Sequence, residues 1–134
     1  MIKPNLIASA ALVTVLSVSA CSTEGTVNNT AHLDVTVSHA GMECSQTSPE
    51  IQVYGTPSQA NKYVVELKDL TQPDAKRGGG ESPVNPAGLI PAGALKDDFK
   101  GPCPADGGHT YRYDVKAVTE GGKVLGVGSY SVTM

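Results

Sequence analysis

GPCPADGGHTYRYDVKAV, residues Gly101 to Val118, carries a proline-braced turn straight into a strand. Pro102 and Pro104 each fix φ and remove an amide donor, so Gly101 to Pro104 sits at a turn or sheet rim and not within a central ladder. After the Gly107-Gly108 break, Tyr111, Tyr113, Val115 and Ala117 alternate with Thr110, Arg112, Asp114 and Lys116. That two-residue period is the signature of a strand with one buried face. His109 stands where loop becomes strand, so any ligand site it serves lies at a strand end.

Working outward, Thr110 to Thr119 and Lys123 to Thr133 are two strands joined by Glu120-Gly121-Gly122, a short glycine-containing connection typical of a hairpin. In the second strand Val124, Gly126, Gly128, Tyr130 and Val132 are expected on one face, with Leu125 and Val127 on the other. His32 to Ser38 alternates Leu33, Val35 and Val37 with polar neighbours and reads as a half-buried strand. Ile51 to Tyr54 is a short one. Lys62 to Leu70 also reads as a strand, because the β-branched pair Val64-Val65 beside Tyr63 favours it over a helix. Thr71 to Ala94 is rich in proline and glycine, includes Gly78-Gly79-Gly80 and has no apolar period, so a long loop is expected there. No long amphipathic helix is evident in the mature chain. The expected fold is mainly β, an antiparallel β-sandwich.

The chain start is read as an address. Lys3 precedes an apolar run from Leu6 to Val18 that fits a secretory signal and is too short to span a bilayer comfortably. The run ends in Val18-Ser19-Ala20-Cys21, which resembles the lipobox of bacterial lipoproteins. That resemblance implies a signal peptide over residues 1–20, lipid attachment at Cys21 and a membrane partnership through the acyl chains. Ser22 in place of Asp favours the outer membrane, facing the periplasm. Ser22 to Thr30 is a polar tether, leaving residues 31–134 as one small domain.

The chain has 10 Lys and Arg against 13 Asp and Glu, for a formal net charge of −3, and no basic stripe. Nucleic acid is therefore not an expected partner. With Cys21 assigned to lipid, Cys44 and Cys103 form an even pair in a compartment that permits disulfides, and a bond between them is expected. His32, His39 and His109 lack the spacing and companion acids of a metal site. No GxSxG elbow is present, and neither catalysis nor a cofactor is expected. Lys96-Asp97-Asp98-Phe99-Lys100 reads as a solvated charge cluster.

Several of these segments recur together in one family. Glu43-Cys44-Ser45-Gln46-Thr47-Ser48-Pro49-Glu50-Ile51, then Tyr54-Gly55-Thr56-Pro57, then Lys62-Tyr63-Val64-Val65 resembles the bacterial phosphatidylethanolamine-binding proteins. GPCPADGGHTYRY resembles that family's later signature, a Gly-Pro-x-Pro turn followed by a His-x-Tyr strand. The resemblance covers about Met42 to Val118. It implies a β core with a small anion pocket at one rim, with ligand-binding residues His109, Tyr111 and Asp69. Asp69 is given the role of orienting His109 by accepting from its ring. Leu70 and Thr71 stand where the family has Pro and a second Asp, Thr110 replaces an Arg, and the family's His-Trp pair is missing. The C-terminal helix is missing too. The reading that follows is a lipid-anchored, non-catalytic domain that binds a small anion, such as a phospholipid head group, or a protein partner. Its alternative is a structural or inhibitor-type envelope lipoprotein gripping a partner through a sheet edge or the Thr71 to Ala94 segment.

Overall fold

A computed structural model describes residues 29–38, 44–103 and 108–134. The expected signal peptide, Cys21, most of the tether and His39 lie outside them. Eight strands make up the described regular structure: β1 (Ala31–His32), β2 (Asp34–Val37), β3 (Ile51–Tyr54), β4 (Lys62–Asp69), β5 (Lys76–Pro83), β6 (Leu89–Ile90), β7 (Thr110–Val118) and β8 (Val124–Thr133). They form a five-stranded sheet in the order β1-β8-β7-β4-β5 and a three-stranded sheet in the order β2-β3-β6. The mainly β, sandwich-like architecture agrees with the sequence.

The alternation read from Tyr111 to Ala117 is the central row of the core. Tyr111, Tyr113, Val115 and Ala117 are all buried, as are Tyr63, Val65 and Leu67 on β4, which pairs antiparallel with β7. Leu33, Val35, Val37, Ile51, Val53 and Ile90 close the core from the other side. Buried tyrosines keep their stability only if the hydroxyl finds a partner. Tyr63 meets Thr56 Oγ1 at 2.6 Å, and Tyr111 accepts from the Cys103 N–H at 3.1 Å. Cys44 and Cys103 are bonded, as expected, closing a separation of 59 residues.

Four expectations need correcting. The stretch 71–94 is no loop: it contains β5 and β6, with β5 laddered to β4 on both sides of a register shift. Its glycines hid the strand because they lower strand propensity, yet they are what the site demands. A Cβ on Gly79 would overlap the Val65 carbonyl oxygen, and one on Gly80 would lie 2.7 Å from the Leu95 Cα. Part of the covering segment is the charge cluster, whose Lys96, Asp97, Asp98 and Lys100 are exposed as expected, while Leu95 and Phe99 are buried and Asp97 exchanges two backbone hydrogen bonds with Gly79. Second, the strand expected over His32 to Ser38 is shared between sheets. β1 pairs with β8, in parallel, and β2 pairs with β3. Third, Phe99, read as part of a solvated segment, is buried although its charged neighbours are not. Fourth, Val124 is exposed, because the β7–β8 register shifts next to Val118 and Leu125 drops out of the ladder, reversing the alternation at that end.

Candidate functional site

β4 and β7 each end at the same rim with a polar residue on the inward face. Asp69 closes the row Tyr63, Val65, Leu67, and it lies in register with Tyr111. His109 sits one step before β7 and exchanges both backbone bonds with Met134, at 2.8 and 3.0 Å, which extends the β7–β8 ladder past its named end. The same parity turns the His109 ring onto the Tyr111 face, where the two rings stack with centroids 6.0 Å apart. His109 Nδ1 lies 2.8 Å from Asp69 Oδ2, with Asp69 1% and His109 8% exposed.

Asp69 is held on both oxygens. The Thr71 and Gln72 N–H groups donate to Oδ1, each at 2.9 Å, while His109 occupies Oδ2. Burial by itself raises a carboxyl's pKa, but here the His109 hydrogen bond and the Gln72 and Thr71 amides outweigh it, and Asp69 titrates below the usual carboxylate range. An ionised carboxylate only accepts, so Nδ1 carries the proton of the neutral His109 ring and Nε2 presents a lone pair. Asp69 therefore sets the tautomer and orientation of the ring, the role given to it on sequence grounds. Burial also pushes the Tyr113 phenol well up, so it stays neutral.

Tyr111 is brought to the same rim but is fully buried, and its hydroxyl is engaged by the Cys103 N–H. Its face, not its hydroxyl, is what it offers. The residue that sequence reasoning missed is Arg77. Between the pairs Glu66 with Gly79 and Lys68 with Lys76, β4 has one residue and β5 has two. Such a bulge re-aims side chains. Arg77 lands with Nη2 3.6 Å from Asp69 Oδ2 and its guanidinium 5.5 Å from the Tyr111 ring centroid. Its Nε is buried and meets no hydrogen-bond acceptor among the described residues. Nothing in the sequence marks Arg77, since it precedes a triple glycine that reads as a breaker.

Lys68, Asp69, Lys76 and Arg77 also line a cavity of about 380 Å3 beside the bulge. Leu70 and Thr71, the departures from the family pattern, are built into the rim: Leu70 N bonds to Thr110 O, and Thr71 Oγ1 accepts from Thr110 N at 3.0 Å. Among the described residues no hydroxyl or thiol bonds to the His109 ring, and no cluster of three acids, cysteines or histidines is placed to hold a metal. His32 pairs with Asp34 at the surface, in register with Val127 and away from the rim. The arrangement can orient an imidazole and present a guanidinium beside it. No protein-family model and no curated protein matches this chain.

Proposed function

We propose that this chain is a lipid-anchored envelope protein whose domain, built on the plan of the phosphatidylethanolamine-binding proteins, binds a small oxyanion between Arg77 and His109 and performs no catalysis. The observation that supports it is the Arg77 guanidinium, turned inward by the β5 bulge with a buried Nε that meets no acceptor among the described residues. A buried donor left without a partner costs about 1–3 kcal/mol, more for a charged group, so a site that keeps one is shaped for an acceptor that comes and goes. Phosphate or carboxylate oxygens match the planar fork of a guanidinium. His109 Nε2 adds a donor when the ring is protonated, and Asp69, whose Oδ2 lies against both His109 and Arg77, keeps that ring in place from its Nδ1 side. In this role Arg77 takes over from the pocket residues the family has and this chain lacks. Lipid attachment at Cys21 would keep the domain at a membrane surface.

Calorimetric titration of the full-length protein in detergent with inorganic phosphate and, separately, phosphoethanolamine tests this. Arg77→Met is expected to weaken binding by about tenfold to a hundredfold, the loss of one charge-assisted interaction. A wild-type protein that binds neither compound at millimolar concentration defeats the reading. Preference for phosphoethanolamine over phosphate would identify a lipid head group as the source of the anion.

A further inference from the structure

Among the described residues nothing pairs with the outer edge of β8 over most of its length, and the residues of that edge are complementary to themselves. β1 covers only Gly126 and Val127, and after the bond from Leu33 N to Val127 O the chain departs to the other sheet. Val127 turns its carbonyl to β1, whereas Met134 turns both its N–H and C=O to His109 on the β7 side. By the two-residue alternation, Ser129, Ser131 and Thr133 then aim their N–H and C=O groups away from β7. Among the described residues none of these six groups has a backbone partner beyond β8.

Exposed edges are normally blunted by charge, proline or a bulge. The stretch from Gly128 to Met134, GSYSVTM, has no charged residue and no proline, and the register shift of β8 lies at its opposite end. The far edge of the same sheet differs, with β5 bridged by Asp97.

We propose that this edge pairs antiparallel with the same edge of a second copy, about a twofold axis at Ser131. In that register Ser131 faces its own equivalent, Ser129 faces Thr133, and Tyr130 faces Val132. All three groups pointing outward on one copy meet three pointing outward on the other, which allows six backbone hydrogen bonds. The side-chain pairs are the favourable kinds for neighbouring strands, hydroxyl with hydroxyl and aromatic with β-branched. No charge on the edge opposes its own copy. Isologous contact of this sort closes as a dimer instead of growing into a fibre. The inference goes beyond the anion site and does not depend on it.

Sedimentation velocity on the full-length protein in detergent reads the association. The wild type is expected to dimerise in the micromolar range. Ser131→Pro, which removes a donor only at the open edge, and Ser129→Lys, which places a charge there opposite Asp114 of β7, are each expected to weaken the dimer by at least about tenfold. Register is read by cysteine cross-linking. Ser131→Cys should form a disulfide with its own kind, since directly opposed Cα atoms lie about 5.5 Å apart in such pairs. Ser129→Cys alone should not, but a mixture of Ser129→Cys and Thr133→Cys chains should. A wild type that stays monomeric at several hundred micromolar overturns the proposal, as does a dimer that both edge variants leave intact, or cross-linking at Ser129 in preference to Ser131.

Discussion

The two edges of the five-stranded sheet are finished in opposite ways. On the β5 side the backbone is sandwiched: Gly79 is bonded to the segment at Asp97, and that segment is pinned in turn. Gly93 N bonds to the carbonyl of buried Ser48, whose hydroxyl accepts from Leu95 N, and Ser45 bonds to Gly101 beside the Cys44–Cys103 disulfide. On the β8 side, among the described residues, the outer pairing ends at Val127. An edge closed by packed backbone becomes part of the fold and is sensitive to every added atom. An open edge adds little to the stability of one copy and is available to another. The rim with Asp69, His109 and Arg77 belongs to the closed side, since Arg77 is carried by β5 itself.

If the closed side depends on that chain of contacts, its largest single contribution is the disulfide. Replacing both Cys44 and Cys103 by Ser is expected to lower stability by about 4 kcal/mol, the chain-entropy value for a loop of this size. Urea unfolding measures it, and a loss under about 1 kcal/mol would mean that the covering segment holds without the bond. Next comes Gly79→Ala. The new methyl would overlap the Val65 carbonyl between two paired strands. Relief requires β4 and β5 to part, and a cost of about 3 kcal/mol is expected. Gly122→Ala is the control: no atom lies within 4 Å of its Cβ position, but its φ of 89° still adds backbone strain, so about 1 kcal/mol is expected there.

Asp69 gives the next effect, and it depends on pH. Its folded pKa is depressed, so the stability it contributes is present above the unfolded value near about pH 4 and is lost as the pH falls through the lower folded value. Asp69→Asn keeps the size but not the charge. It is expected to cost about 2 kcal/mol at pH 7, the scale for hydrogen bonds to a charged group. The gap between wild type and variant should narrow as the pH falls below about 4. A gap that stays undiminished through about pH 3 would show that Asp69 is not held as the ionised acceptor of His109.

These two sides were not equally readable. The β7–β8 hairpin follows from residues alone, because the alternation of Tyr111 to Ala117 and the Glu120-Gly121-Gly122 connection are local signals. The placement of Asp69 against His109 was also within reach, as each falls on the inward parity of its own strand. β5 was not. Its Gly78-Gly79-Gly80 carries no periodicity, and glycine is required there by the approach of Val65 and Leu95, which are distant in sequence. With β5 hidden, the bulge was hidden too, and with it the inward turn of Arg77. Phe99 was misread for the same reason: the strand that it covers could not be seen.

The smallest effect sharpens the contrast most. In an internal strand proline is destructive, since it removes a ladder donor and its ring intrudes on the neighbour, and Val132→Pro on β8 is expected to cost about 3 kcal/mol or more because its N–H faces β7. One residue earlier the N–H faces outward. Ser131→Pro should therefore cost a single copy about 1 kcal/mol or less, mostly from narrowing φ, when unfolding is measured at concentrations low enough to keep the chains apart. The two variants change adjacent residues on one strand, but Val132 also packs against the core whereas Ser131 is exposed, so part of the loss at 132 is packing. The rest comes from the direction of the amide. Equal losses at 131 and 132 would mean that both amides are bonded in the isolated copy, and that β8 has no open edge to offer.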